Sequence, residues 1–306
     1  MDRLQEMEVF VTVADAGSFA GAGARMRISP PAVTRAIASL EDRLGGRLFN
    51  RTTRSLSLTE AGARFLESAR RLLADVEEAE KAAVGETAIP HGHLTITASV
   101  TFGRSALAPV VSAYFNAHPR VSASVVLLDR VVNLVEEGFD VAVRIAPMPD
   151  SGLMARRIGE IRRVLVASPD YLARRGRPQV PADLKQHAFI AFTPLLPNRE
   201  WRYTDARGTN SVTLAPRFEI NDAVAAIKAC EAGDGITIAL SYMVAEAVRA
   251  GRLVTVLDEV TPPPVPVHLV HAQSRLVAPK IRSFVDFSTP LLRATLQALT
   301  IGPTDA

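Results

Sequence analysis

The residues best equipped for chemistry in this chain are arginines and hydroxyls gathered in one short stretch. Arg25, Arg27, Arg35, Arg43, Arg47, Arg51 and Arg54 stand against only Glu41 and Asp42, a local net charge of +5. Residues 1–24 hold Arg3 against Asp2, Glu6, Glu8 and Asp15. Ser29, Thr34 and Ser39 lie among the arginines. Guanidinium forks match phosphate oxygens and guanine edges, and hydroxyls pair with either donors or acceptors, so the pattern suits double-stranded DNA. The whole chain carries only +3 at a pI near 9.3, which permits nucleic-acid binding without arguing for it. Lysine occurs only at Lys81, Lys185, Lys228 and Lys280, and GC-rich coding explains much of that bias, so the weight rests on the local cluster.

The elements that must hold this cluster are short helices. Leu4, Met7, Phe10, Val11 and Ala14 fall on one helical face, Gly17 ends that helix, and Ser18 is placed to cap the next. Phe19, Ala22 and Met26 give a second apolar face. Ser29-Pro30-Pro31 reads as a helix start, because a capping hydroxyl precedes prolines whose missing N–H groups are spare in a first turn. Val33, Ile37, Leu40 and Leu44 continue that third helix until Gly45-Gly46. Hydroxyls and arginines at the front of the second helix of a helix-turn-helix suit the major groove. RLFNRTTRSLSLT then reads as a hairpin, a wing with Arg51 and Arg54 near its tip. Arg43 and Arg47 fit ion pairing or loop fixing better than base reading, Ser18 fits a cap, and Phe49 fits the core.

Residues 59–85 form a proline-free stretch rich in Ala, Glu, Arg and Leu. Phe65, Ala69, Leu72, Val76, Ala79 and Ala83 are spaced as a heptad seam. Such a helix wants a partner helix, a second copy being favoured over packing on its own protein. Residues 87–92 break it as a hinge.

Residues 29–62 resemble the LysR-type transcriptional regulators through S-P-P-A-V-T-R-A-I, L-E-D-R-L-G, R-L-F-N-R-T-T-R and L-T-E-A-G. The stretch A-S-P-D-Y-L at 167–172, with G-R-P and P-A-D-L-K-Q-H after it, resembles one large branch of that family. The resemblance implies that Ser29, Pro30, Pro31, Thr34 and Arg35 sit at the groove, with Arg51, Thr52 and Arg54 on phosphates. Pro30 stands where other branches often carry a base-contacting glutamine, and Thr34 where serine is usual. The implied fold is an all-α winged helix-turn-helix domain (1–58), a linker and dimerisation helix with hinge (59–92), and an α/β two-lobe domain (93–306) like the type 2 periplasmic binding proteins. The implied partners are an interrupted palindrome, a small-molecule effector, a homodimer through residues 59–85 that builds tetramers, and RNA polymerase.

Residues 93–300 alternate apolar runs with helical patterns. LTITASV, VSASVVLL, DVAVRI, RRVLVAS, AFIAF, GITIAL and VHLVHA read as strands, and 106–117, 131–137, 222–232, 241–250 and 280–299 as helices. This predicts largely parallel sheets in two lobes, 93–164 with 267–300 and 165–266, crossing near 164–168 and 265–267. Ligands of such sheets bind beyond the strand C-termini. Ser99, Val100 and Thr101 would put hydroxyls and N–H groups at a helix N-terminus, which favours an anionic effector. Thr193 and Asn221 would face them from the other lobe. Trp201 either lines the cleft or fills a lobe core, and Arg144 either meets an acidic ligand or fixes the lobe through a salt bridge.

Other classes have little support. No G-x-S-x-G, H-E-x-x-H or Walker-type motif occurs. Cys230, the single cysteine, fits a buried thiol better than a nucleophile. His91-x-His93 fits a solvated hinge better than a metal site, and Glu136-Glu137 diverge on one element. No cofactor is expected. A lone solute-binding protein would leave residues 1–58 without a purpose. MDRLQEMEVF lacks an apolar signal core and no run approaches a membrane span, so a cytoplasmic location with no membrane partner is expected.

Overall fold

The first helix forms because Asp2 caps it, its carboxylate accepting from the Gln5 N–H, and it ends where Gly17 takes the left-handed conformation at φ 63°. A computed structural model describes residues 2–51, 56–83, 89–148, 152–206, 208–273 and 277–301, with some side chains between 67 and 83 left out. The chain divides into two units, Met1–Gly92 and His93–Ala306.

The first unit contains α1 (Arg3–Ala16), α2 (Phe19–Met26), α3 (Pro30–Leu44), the antiparallel pair β1 (Phe49–Arg51) and β2 (Leu56–Leu58), and α4 (Glu60–Ala83). Ser18 and Ser29 cap α2 and α3 as expected. The fully buried residues of α1 are Glu6, Val9, Phe10 and Val13; of the expected face, Phe10 is among them, Met7, Val11 and Ala14 are partly buried against the same core, and Leu4 is exposed. The centre of the apolar face is thus rotated from the expected one, and it admits a carboxylate. Phe10 sits against Phe49 and Phe65 at ring distances of 5.2 and 5.3 Å. The start of α4 joins this core through Phe65, Leu66 and Ala69, so the first residues of the heptad seam serve their own unit. Leu72 lies outside that core, 48% exposed.

The L-T-E-A-G run has a packing reason. Thr59 donates its hydroxyl to the Arg47 carbonyl at 2.8 Å and its N–H to the Leu48 carbonyl, while its oxygen caps the Gly62 N–H. Helix α4 thereby comes so close to the strand entry that a Cβ on Gly62 would lie 2.0 Å from the Leu48 carbonyl oxygen.

In the second unit, one five-stranded sheet runs β4 (Val121–Leu127), β3 (Gly92–Ala98), β5 (Val141–Ile145), β14 (Val265–Ala272), β6 (Leu153–Ile161). Helix α5 (Val100–Phe102), a π-helical stretch Gly103–Leu107 and α6 (Ala108–Ala117) follow β3, and α6 packs with α10 (Pro279–Ala298) over the core on one side of this sheet. The other sheet runs β11 (Phe218–Ile220), β8 (Phe189–Phe192), β12 (Ile236–Leu240), β7 (Arg163–Ala167), β13 (Val254–Val256). Helices α8 (Ala223–Glu231) and α9 (Ser241–Arg249) contribute to the core on one side. Helix α7 (Pro169–Arg175) and a hairpin of β9 (Glu200–Asp205) and β10 (Gly208–Thr213) contribute on the other.

Three expectations change. The sheets are mixed, because β14 pairs antiparallel with both β5 and β6, and β7 antiparallel with β12 and β13. The strands that carry the chain between lobes run against their neighbours. The first crossing is at Arg162, between β6 and β7, earlier than 164–168. No helix forms at 131–137: the segment closes a single turn, and it buries Val132 and Leu134, two residues apart, while Val131 and Val135 stay exposed. Alternate burial is not helical spacing.

Gly62→Ala tests the close approach. Alanine improves helix propensity by about 1 kcal/mol, yet its methyl group meets backbone that cannot rotate away, and overpacking costs about 1–3 kcal/mol or more. Denaturant unfolding should show net destabilisation of the first unit; equal or greater stability would mean that the approach is not tight in solution.

Candidate nucleic-acid interface and ligand cleft

Helix α3 carries the candidate DNA contacts, and its two sides divide the work. Val33, Ala36, Ile37 and Leu40 are buried. Ser29, Pro30, Pro31, Thr34 and Arg35 are all exposed in the first two turns. The Ser29 hydroxyl accepts from the Ala32 N–H at 3.4 Å, and the Thr34 hydroxyl donates to the Pro30 carbonyl at 3.1 Å, which leaves the Thr34 oxygen able to accept. Among the described residues, the guanidinium groups of Arg25, Arg27 and Arg35 form no ion pair, and all three residues are exposed. Arg27 ends α2 in the left-handed conformation at φ 55°.

The lower part of α3 is anchored by a group that the sequence reading passed over. Glu6 of α1 is 5% exposed. Its carboxylate accepts from the Ser39 hydroxyl at 2.6 Å and from Arg43 Nη2 at 2.7 Å. These bonds, Ser39 first, hold its carboxyl below the usual carboxylate range against the opposing effect of burial. Ser39 and Arg43 are thereby withdrawn from the DNA-facing set, Arg43 into the ion pair expected of it. The signal was present: Glu6 lies three, four and seven residues before Val9, Phe10 and Val13. Glu41 anchors the wing, its Oε1 accepting from the N–H groups of Leu48 and Phe49 at 2.8 and 3.2 Å. The backbone of Arg51 pairs with Leu56 in the hairpin. The Arg51 side chain, Thr52 and Arg54 lie outside the described residues.

In the second unit, the strand ends meet where the lobes join. Ser99 follows β3, and the Val100 N–H donates to Asp129 Oδ1 at 2.9 Å. Thr101 is half-buried, its carbonyl accepting from the Ser105 hydroxyl. From the other lobe, Thr193 opens a 3-10 turn after β8 and Asn221 precedes α8, both exposed. The α8 N-terminus is capped by Asp222, which accepts from the Ala225 N–H at 2.8 Å. At each of these two helix starts one N–H is thus taken by a carboxylate of the chain itself.

Trp201 takes the core alternative. It is 2% exposed, packs among Leu165, Ile236 and Val256, and stacks on Tyr203 at 5.3 Å. Arg144 forms no salt bridge among the described residues; its Nη2 donates to the Val132 carbonyl at 2.7 Å, fixing the 128–139 segment on the sheet. Arg163, at the first crossing, is half-buried, and desolvation lowers its pKa. Arg162 beside it pairs with Asp258 at 3.1 Å. In the A-S-P-D-Y-L run, Ser168 caps α7 and the Tyr171 hydroxyl accepts from the Ala188 N–H at 2.9 Å, so that motif fastens the lobe.

Other candidates are accounted for by packing. Cys230 is fully buried, donates to the Val166 and Gly235 carbonyls, and is pushed up to about 12 by burial. Both ring nitrogens of His93 lie 2.9 Å from hydroxyls, those of Ser122 and Ser124. Glu137 pairs with Arg130. Among the described residues, no group of three or more His, Cys, Asp or Glu could hold a metal, and no helix is long and apolar enough to cross a membrane. An open depression of about 380 Å³ between β6 and α10 has polar walls already in use, Arg157 on Glu160 and Arg293 on the Arg157 carbonyl.

Glu6→Ala should lower the stability of the first unit by about 1–3 kcal/mol near neutral pH, the cost of stranding partners of a buried charged hydrogen bond. Because the folded carboxyl titrates below its unfolded value, the contribution is complete above the ordinary carboxylate range and disappears as pH falls through the lowered value. Parent and variant should therefore converge in stability on acidification. A gap that persists unchanged into acid would assign the loss to packing instead.

Two family matches span most of the chain. Residues 4–63 match the bacterial regulatory helix-turn-helix proteins of the lysR family, and residues 88–293 match the LysR substrate binding domain. The chain is 33% identical to the HTH-type transcriptional regulator CrgA of Neisseria meningitidis serogroup B, over 92% of this chain and 95% of that protein. It is 35% identical to a transcriptional repressor of Pseudomonas aeruginosa, over 94% and 91%. It is 30% identical to the transcriptional activator AaeR of Escherichia coli, over 94% of each. Among solved structures, CrgA superposes with a TM-score of 0.61 at 32% identity, covering 95% of this chain and 99% of that one. The full-length Vibrio cholerae virulence activator AphB gives 0.59 at 29% identity, covering 94% and 98%.

Proposed function

The chain belongs to the LysR family of bacterial transcriptional regulators, and we propose how its own residues serve that work. The family consists of DNA-binding regulators, not enzymes, and the chain carries both the helix-turn-helix and the effector-binding domain. In our reading, the first turns of α3 enter the major groove, with Thr34 and Arg35 at base edges and Ser29, Pro30 and Pro31 against the backbone. Arg51, Thr52 and Arg54 of the wing take phosphates. The observation that carries this reading is Arg35, exposed in the second turn of α3 and without an ion pair among the described residues, while Arg43, two turns further along the helix, is locked to Glu6. Phosphate contacts then set register and the few base-edge contacts set sequence.

Two copies join through α4, along the seam that Leu72 continues beyond the core of the unit, and dimers pair into tetramers. Paired units read an interrupted palindrome whose half-sites lie about a helical turn, or a multiple, apart. A small molecule held between the lobes, at Ser99, Val100 and Thr101 with Thr193 and Asn221 opposite, shifts the DNA-bound state through its differing affinity for two arrangements. Arg144 and Trp201 support this site as structural residues. The regulator acts in the cytoplasm on RNA polymerase at a neighbouring promoter. Relatives named as repressor and as activator both match, at 35% and 30% identity.

Gel-shift titrations against the DNA upstream of the chain's own gene test the contacts. Arg35→Ala should lower affinity about tenfold or more and relax the preference at one base position, with unfolding unchanged. Arg51→Ala should weaken all sequences together and flatten the salt slope by about one unit. Full affinity in Arg35→Ala would remove α3 from base reading. For assembly, Leu72→Glu should shift the particle toward the monomer in light scattering; an unchanged mass would place the pairing surface elsewhere.

A further inference from the structure

Three helices of the first unit end in the left-handed conformation, and one of them does so on an arginine. Helix α1 ends on Gly17 at φ 63° and α3 on Gly45 at φ 69°, whereas α2 ends on Arg27 at φ 55°. The ends of α2 and α3 are built alike. The Ile28 N–H donates to the Gly23 carbonyl at 3.0 Å, and the Gly46 N–H to the Glu41 carbonyl at 3.1 Å, each bond closing around the left-handed residue. Glycine is the usual residue there, because a Cβ crowds the following carbonyl in that conformation. The turn cannot open to relieve Arg27. Ile28 packs on the core of the unit, and the turn lies so close to α2 that a Cβ on Gly23 would stand 2.9 Å from the Ile28 carbonyl oxygen. A strained residue held in place by its surroundings points to a use for its side chain.

That use is not internal. Arg27 is exposed, and among the described residues its guanidinium forms no ion pair and no hydrogen bond. Two residues further on, α3 begins. A helix start ordinarily offers spare N–H groups to an anion, and backbone N–H groups at helix starts are regular phosphate contacts in DNA complexes. This start has lost them. Pro30 and Pro31 carry no N–H, and the Ala32 N–H is taken by the Ser29 carbonyl at 2.8 Å. A phosphate beside α3 would therefore meet a helix end without donors. The Arg27 fork carries five N–H donors and a full positive charge, so it supplies what the prolines remove.

We propose that Arg27 is a positioning residue for DNA, holding a backbone phosphate at the start of α3 in place of the N–H groups that Pro30 and Pro31 lack. This rests on the reading that α3 enters the major groove, and it adds a grip in the turn itself, apart from the wing. The contact sets how the helix start is seated and carries no sequence preference. Stability and DNA binding are then opposed at one position. Glycine would suit the backbone of the turn and lose the phosphate, whereas arginine keeps the phosphate at the expense of the turn.

The test uses the full-length protein, thermal unfolding, and gel shifts across a salt series. The probes are the DNA upstream of the chain's own gene and an unrelated duplex of equal length. Arg27→Gly should raise the Tm of the first unit by about 2–5 °C as the strain is relieved. The same variant should bind both duplexes about three- to tenfold more weakly, with the salt slope flatter by about one unit per bound protomer. Arg27→Asn, which tolerates the left-handed region without a charge, should show the same flattened slope. Arg27→Lys should keep the parent slope, because the charge remains. Unchanged affinity and slope in Arg27→Gly would overturn the proposal. So would a lowered Tm, or a loss confined to the chain's own upstream DNA, which would make Arg27 a base reader. Normal binding by Arg27→Gly beside weakened binding by Arg35→Ala would remove this contact and leave α3 in the groove, whereas normal binding by both would remove the groove reading as well.

Discussion

A single buried carboxylate ties the third helix to the first. Glu6 comes from α1, and its bonds to Ser39 and Arg43 fix the rotation of α3 about its own axis. A charge at 5% exposure is tolerable only when its lone pairs are matched, and the match consumes one hydroxyl and one arginine that would otherwise join the basic cluster. Thr34 and Arg35, nearer the start of the helix, take no part in that contact. Glu41 performs the matching task at the far end, tying the start of the wing strand to the helix through two backbone N–H groups. Two acids, Glu6 outside the basic segment and Glu41 within it, therefore hold that segment in place. Apolar packing of Val33, Ile37 and Leu40 alone would permit the helix to roll slightly, whereas a two-point charged contact specifies one angle.

The second unit is governed by a different constraint, that the chain passes between two sheets twice. Each passage inserts a strand running against its neighbours, which is why β7 and β14 lie antiparallel inside sheets that otherwise follow parallel logic. The passages place the C-terminal ends of β3 and β12 close enough that Tyr242 from one lobe is buried in the core of the other. The lobes are thus joined by packing as well as by covalent links. Any ligand between them competes with protein contacts, and its effect is set by the difference between the two.

Much of this was legible in the residues, and the failures have physical causes. The caps at Ser18 and Ser29, the stop at Gly17 and the double proline of α3 are local devices, and each forms where its sequence places it. Long-range polar matching is not local. Glu6 lay on a buried helical stripe, but nothing in the sequence distance of 33 and 37 residues names Ser39 and Arg43 as its partners. The 131–137 segment fits a helix in the alternation of strands and helices, yet it buries alternate residues, Val132 and Leu134. Strand β6, LMARRIGEI, was passed over because it is largely exposed and its polar residues hide the alternation. The fate of Trp201 turned on the β9–β10 hairpin, whose strands are too polar to announce themselves.

The double proline that makes α3 start cleanly also shapes what the helix can read. Pro30 and Pro31 occupy the first positions of α3, where missing N–H groups are harmless. They present no side-chain donor or acceptor to a base edge. The Thr34 hydroxyl spends its proton on the Pro30 carbonyl, so in the proposed interface it would offer an acceptor and a methyl group. Arg35 is then the main donor on that surface. One fork and one acceptor specify few base pairs by direct hydrogen bonding. The remaining discrimination in a site of this construction must come from apolar contact of proline and threonine carbons with thymine methyl groups, and from the shape and deformability of the DNA under the wing. Rigid rings at the helix start suit that task, because they add contact area without side-chain entropy to lose.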